Sequence, residues 1–283
     1  MTGVQTCALP ISTTGQVLFR GRNVRDLTKE QHKEYRLGVQ LVHQDPYASL
    51  NPSFTIYDTI AAPIQHHGFT KGDAATRKRV IELLEMVDLT PASDFLDKYP
   101  HQLSGGQRQR VSVVRVLTKK QSLIVADEAV SKVEVYIRIS LLNTLLKLTD
   151  QIGLAVVFIT HDLALAKYFA WEGRVVVMYV GRMVELAPAR YLVDHPQHPY
   201  TQALLAAIPE ADPDVTRKKR HIELRSMDLP GLLNLPSGCS FHPRCPIWLG
   251  EKCEQEVPQM TAFGDGSAVA CHVICQQRQA ERA

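Results

Sequence analysis

The sequence has no apolar run approaching the ~20 residues that a helix needs to cross a bilayer. Its longest candidates, 154–159 and 175–180, have the length of buried strands, so any association with a membrane is expected to pass through a partner. Cysteine is missing from the whole middle of the chain: after Cys7 the next is Cys239, and five of the six lie beyond residue 238. That clustering suits a local metal site in a reducing compartment better than a secreted disulfide framework. A strong excess of one charge is also lacking. A net charge of +3 is too mild for the concentrated basic face that nucleic-acid binding usually demands. The one dense basic run, at 217–220, reads as a solvated linker. Internal repeats and low-complexity tracts are absent too.

What is present is ordinary for a soluble globular protein. With 45% apolar and 22% charged residues, 283 residues suffice for one large α/β domain and an appendage. Residues 1–12 stand apart. They have neither the basic start nor the apolar core of a signal peptide. They resemble the conceptual translation of a sequencing-library adapter, so they are read as non-native and excluded, Cys7 with them.

Residues 15–20 read as a strand, and 37–43 as a second one, followed by Asp45-Pro46 and Leu50-Asn51-Pro52 as turn punctuation. Val80, Leu83, Leu84 and Val87 have helical spacing, so 49–103 is expected to be mostly helical. Beyond it the pattern alternates: helix 105–118, strand 122–126, helix 131–149, strand 154–160, helix 162–170, strand 174–180. Continuous apolar strands separated by helices predict an α/β fold with a parallel sheet covered on both faces. From Pro188 onward the chain is expected to be rich in loops.

Chemistry is concentrated at the ends of these elements. Leu103-Ser104-Gly105-Gly106-Gln107 puts a serine and two glycines at a helix start, where bare amides and the helix dipole favour an anion. An ordinary Ser-capped helix start gives the same letters. The strand at 123–126 then delivers Asp127 and Glu128, and the edge of an open α/β sheet where strands end is where ligands bind. Asp127 is placed to hold Mg²⁺ through water, and Glu128 to orient or deprotonate an attacking water. His161 stands at a third strand tip, where it can polarise a terminal phosphate. Gln44 follows another strand end and offers an amide to metal and water. Each motif alone is weak; the ordered set is specific.

In this order and spacing Gln44, residues 103–107, Asp127-Glu128 and His161 resemble the Q-loop, signature, Walker B and switch histidine of ABC ATPases. The tail narrows the resemblance. His198-Pro199-Tyr200, Gly238-Cys239 with Arg244-Cys245-Pro246, and Tyr47 to Pro52 are similar to the oligopeptide, dipeptide and nickel importer ATPases. The resemblance implies a RecA-like core at 13–48 and 116–187, a helical signature subdomain at 49–115, and a C-terminal extension at 188–283. It implies ATP and Mg²⁺, a second ABC ATPase subunit paired head to tail, transmembrane permeases, and indirectly a substrate-binding protein. It implies peptides as the leading cargo, no nucleic acid, and a peripheral place on the cytoplasmic face of the membrane. The alternatives are a non-catalytic subunit that donates its signature to an intact partner, and a soluble ABC ATPase acting on nucleic acid or ribosomes, against which the tail argues. Cys239, Cys245, Cys253 and Cys271, spaced C-x5-C-x7-C-x17-C, are candidate metal ligands. Some members of the resembled family carry a [4Fe–4S] cluster there; zinc is the alternative, buried free thiols the bland reading, and Cys275 a spare.

The pattern breaks at one place that matters. An ABC ATPase holds its phosphates in Gly-x-x-x-x-Gly-Lys-Ser/Thr, and these residues contain no Gly-Lys pair. The expectation is therefore a chain that is N-terminally truncated and inactive alone. Glu134 stands where the family has Asp, and Ser112, Val114 and Val116 stand where it has alanine, a volume gain that can cost ~1–3 kcal/mol in a packed core.

Overall fold

A computed structural model describes residues 15–43, 45, 49–119, 121–131, 133–208, 222–231 and 233–281. The adapter-like segment, Gln44, Tyr47 and the basic run at 217–220 lie outside the described residues. The chain forms two compact units, Met1–Val157 and Phe158–Ala283.

In the first unit a small hairpin, β1 (Leu18–Phe19) and β2 (Arg22–Asn23), precedes helix α1 (Lys29–Gly38). Thr28 and Gln31 form a reciprocal capping box that starts α1. Strand β3 (Val39–Val42) then pairs parallel with β4 (Leu123–Asp127), Val39 beside Leu123 and Val42 beside Ala126. Between them lie α2 (Ile56–His66), α3 (Asp73–Met86), α4 (Ser93–Leu96) and α5 (Gly105–Leu117), the helical stretch expected from periodicity. Ile56, Ile60, Ile64, Val80, Leu83 and Leu84 are all fully buried. At roughly 25 cal/mol per Å² of apolar area, burying one such side chain is worth about 1.5–3 kcal/mol. After β4 comes α6 (Val135–Ile152), closed by Gly153 at a left-handed φ of 65°. Strand β5 (Ala155–Ile159) adds to the sheet in the order β3-β4-β5, and the boundary between the units falls inside it.

The positions expected to crowd α5 do lie in the core. Val114 and Val116 are buried, and the buried Ser112 hydroxyl meets that of Ser49 at 2.7 Å. Among the described residues, however, the parallel sheet is not covered on both faces: Leu41 and Val157 are each more than two-fifths exposed.

The second unit holds α7 (Leu163–Phe169), β6 (Arg174–Tyr179), β7 (Arg182–Pro188), α8 (Ala189–Asp194), α9 (Pro199–Ala206), α10 (Glu251–Gln255), β8 (Thr261–Ala262), β9 (Ala268–Val269) and α11 (His272–Ala280). Here the structure corrects the sequence reading. Strand β6 is not another parallel strand: it turns through Val180-Gly181 into antiparallel β7, and the sheet runs β6-β7-β9-β8. The core of this unit gathers Val177, Tyr179, Val184, Leu192, Phe241 and Cys245.

Candidate active site

Helix α5 opens where the sequence places it. The Gln107 amide donates to Ser104 Oγ at 3.3 Å, and the Ser104 amide donates to Gln107 Oε1 at 3.0 Å. This capping box fixes Ser104 at the mouth of the helix, where it is exposed. The amides of Gly105 and Gly106 belong to the first turn, which has no intrahelical acceptor for them, and Gly105 is half-buried while Gly106 is buried. The two glycines differ. A Cβ on Gly105 would meet nothing within 4 Å, whereas one on Gly106 would lie 2.7 Å from Ile137 Cγ2 on α6. Gly106 is thus required by helix–helix contact, and Gly105 leaves its side open.

Asp127 ends β4 and is exposed; Glu128 follows it with φ at 44°, a left-handed conformation that a residue with a side chain rarely adopts. The turn is held from beyond: the Ser131 amide and hydroxyl both donate to Glu128 O, at 3.0 and 2.9 Å. Strained backbone of this kind costs ~1–3 kcal/mol and persists where surrounding contacts over-determine it, often at functional sites. By its chemistry the exposed Asp127 carboxylate suits a hard cation whose shell is completed by water.

His161, in the second unit, is exposed between β5 and α7. Its neighbour Asp162 caps α7, accepting from the Ala164 and Leu165 amides at 2.9 and 3.2 Å. The geometry thus describes Ser104–Gln107 and Asp127–Glu128 in one unit and His161 in the other, while Gln44 lies outside the described residues.

The tail motifs converge on one another. Glu185, fully buried in β7, accepts from the Gln197 and His198 amides at 2.9 and 2.8 Å. Burial pushes its carboxyl up, and those two hydrogen bonds oppose the rise. His198 caps α9, its Nδ1 accepting from the Tyr200 amide at 3.1 Å, with Pro199 at the first helical position. Burial pushes its imidazole down to about 4. Tyr179, Tyr200 and Phe241 stack around one another with centroids 4.6 to 5.5 Å apart, which joins His-Pro-Tyr to the loop after Cys239. Sequence reasoning missed Glu185, although a lone carboxylate in the apolar strand Met183-Val184-Glu185-Leu186-Ala187 was the available signal.

The four candidate ligands are free thiols. Burial pushes Cys245 up to about 12 and Cys271 up to about 11, with the neighbouring thiols adding to both. Backbone amides point at the sulfurs: those of Phe241 and His242 at Cys239, and that of Ile247 at Cys245. Among the described residues, however, no three His, Cys, Asp or Glu side chains converge tightly enough to hold a metal ion. The expected [4Fe–4S] or zinc site is therefore not what the geometry of the described residues displays.

Comparison with known proteins identifies this assembly. The ABC transporter family model matches residues 5–131, and the model of the oligopeptide/dipeptide transporter C-terminal region matches 184–253. A probable peptide ABC transporter ATP-binding protein of Sinorhizobium fredii is 42% identical over 265 residues, covering 92% of this chain and 71% of the relative. An oligopeptide transport ATP-binding protein of Bacillus subtilis is 40% identical over 263 residues, covering 92% and 78%. Among solved structures, cbiO1 of Clostridium perfringens, part of the ABC transporter complex cbiONQ, is similar in fold (TM-score 0.56, 21% identity, 65% and 69% covered). The ATP-binding cassette MJ0796, a dimer bound to ADP and Pi in a post-hydrolysis state, gives TM-score 0.53 at 27% identity, with 63% and 75% covered. The chain belongs to the ABC transporter ATP-binding proteins of the oligopeptide/dipeptide group. Among the described residues no helix is long and apolar enough to cross a membrane.

Proposed function

We propose that this chain is the ATP-binding subunit of a peptide importer, acting on the cytoplasmic face of the membrane as one half of a head-to-tail pair. In that pair Ser104, Gly105, Gly106 and Gln107 offer their donors to the ATP held on the partner subunit's phosphate loop. The open N-terminus of α5, with Ser104 exposed and capped and Gly105 unobstructed, is the observation that carries the reading. Preorganised donors aimed at developing charge are usually the largest single contribution to such catalysis.

For an ATP on its own side, Glu128 takes up the proton of the attacking water, and His161 and Gln44 orient that water and the terminal phosphate. Asp127 is the carboxylate that would hold Mg²⁺, and the ion would supply charge neutralisation to the phosphates. The permeases dock on the helical stretch. There α2 and α3 enclose an open groove of roughly 630 Å³ lined by Phe54, Tyr57, Asp58, Gln65, Asp73 and Arg77. Cargo choice rests with a separate binding protein and with the permeases.

Because these 283 residues contain no Gly-Lys pair, we assign the isolated chain no turnover and treat it as a signature donor to an intact partner. The test is ATP hydrolysis by the purified chain alone and with a second ATP-binding subunit. Turnover should appear only in the mixture and vanish with Ser104→Arg. Mg²⁺-dependent hydrolysis by the chain alone would refute the assignment.

A further inference from the structure

We propose that Asp88 is a positioning residue for the signature: gripped by Arg110, it sets the angle at which α5 presents Ser104, Gly105 and Gly106 to the partner's nucleotide. The inference rests on the signature-donor reading above and goes beyond it, since nothing in the sequence singles Asp88 out.

Asp88 closes α3 with φ at 59°, a left-handed turn that swings its carboxylate across the helix end. Arg110 Nη1 donates to Asp88 Oδ2 at 3.1 Å and also to Val87 O, while Arg110 Nη2 donates to Ser140 Oγ at 2.6 Å on α6. Thr144 Oγ1 donates to the same carboxylate oxygen at 3.3 Å, and Lys147 Nζ lies 3.7 Å from Oδ1. One guanidinium fork and one carboxylate therefore tie three helices together. Arg110 lies mostly buried at this junction, so the pair is not an ordinary exposed one.

The spacing explains why this junction bears on the signature. Gly106 and Arg110 are four residues apart and share a face of α5. Gly106 packs on Ile137, and Arg110 packs on Ser140 three residues further along α6. The seam between α5 and α6 is thus pinned at two successive turns, once by the absence of a side chain and once by a charged fork. Without the second pin, α5 pivots on the first, and its exposed N-terminus shifts. Asp88 itself touches no reacting atom.

The experiment uses the importer complex purified with its second ATP-binding subunit and permeases. Asp88→Asn is the informative change, because asparagine tolerates left-handed backbone and loses only the charge. Misplacing a positioned group by about 1 Å can cost ~10²-fold, so kcat should fall ~10–100-fold while KM for ATP moves less than about twofold. The unfolding midpoint should stay within a few degrees, and Asp88→Glu should recover part of the rate. Arg110→Lys keeps the charge but loses the fork and should behave like Asp88→Asn. Glu34→Ala, which breaks an exposed pair with Arg20 outside the helical stretch, should leave turnover unchanged. If Ser104→Arg abolishes turnover but Asp88→Asn stays within about twofold of wild type in kcat, the positioning role is wrong and the signature reading stands. If Asp88→Asn lowers kcat only in proportion to protein lost to unfolding, the role is equally wrong. If Ser104→Arg leaves turnover intact, the reading beneath falls and takes this inference with it.

Discussion

Gly105 and Gly106 are neighbours of identical chemistry, yet a methyl group would meet open space at one and Ile137 at the other. Gly106→Ala should therefore lower stability by ~1–3 kcal/mol, since Cβ and Ile137 Cγ2 cannot share 2.7 Å without a shift. Gly105→Ala should stay within about 0.5 kcal/mol of wild type. Urea unfolding decides, and a cost for Gly106→Ala that survives in the Ile137→Ala background would exclude this contact as its cause. His198 makes a second claim at this scale. Its folded-state pKa of about 4 lies below the unfolded value of 6.5. Protons are then taken up by the unfolded chain first as pH falls below 6.5, and stability drops until about pH 4, where both states are protonated. Across that window the loss is roughly 3 kcal/mol. Glu185 works the other way, because its raised carboxyl adds stability as pH falls. His198→Asn keeps a cap acceptor without titrating. It should thus show a stability curve that gains on wild type by roughly 2 kcal/mol between pH 7 and pH 5. Parallel curves would mean that His198 is not held neutral.

At the scale of elements, what could be read from the letters depended on whether the stabilising signal was local. Strand β4 and helices α3 and α5 announce themselves by apolar runs or helical spacing, and their functional ends came with them: Ser104 as cap, Asp127 and Glu128 as strand exit. Helix α1 did not, because Lys29 to Arg36 is largely polar and its start lies in the Thr28–Gln31 box, a signal that was there to be used. Strand β7 was hidden by its turn. Val180 and Gly181 both have positive φ, 46° and 76°, between the paired Tyr179 and Arg182. A two-residue turn of that form normally advertises itself as Asn-Gly; valine conceals it. A β-branched residue there stores strain, and left-handed backbone costs a side-chain-bearing residue roughly 1–2 kcal/mol. Val180→Asn should accordingly stabilise the protein by about 1 kcal/mol, visible as a higher urea midpoint at constant slope. A neutral or destabilising result would show that Val180 is retained for packing and that the turn carries no such cost. Asp88 and Arg110 were illegible for a different reason: three helices must be folded before their pairing exists.

At the scale of the whole molecule, the proposed function divides the reaction between the start of α5 and the end of β4. On that proposal the start of α5 serves another subunit's nucleotide, while Asp127 and Glu128 stand at a strand end and these 283 residues contain no Gly-Lys pair. If Glu128 is the group that takes the proton from water, its competence should be latent rather than lost, because its φ of 44° and its lock to Ser131 are built from residues that are all present. The decisive chimera joins a strand, a Gly-x-x-x-x-Gly-Lys-Ser loop and its helix in frame ahead of Thr13. This fusion should acquire Mg²⁺-dependent ATP hydrolysis, and Glu128→Gln within it should lower kcat by ~10²–10⁴, the usual contribution of a positioned general base, with ATP affinity retained. Asp127→Asn should instead weaken Mg²⁺ binding, raising the concentration of metal needed for half-maximal rate. A chimera that binds ATP tightly but turns over equally with Glu128 and with Gln at that position would show that the strained carboxylate is a structural feature of the turn. The proton would then have to be taken by another group, and the division of labour drawn here between strand end and helix start would not hold.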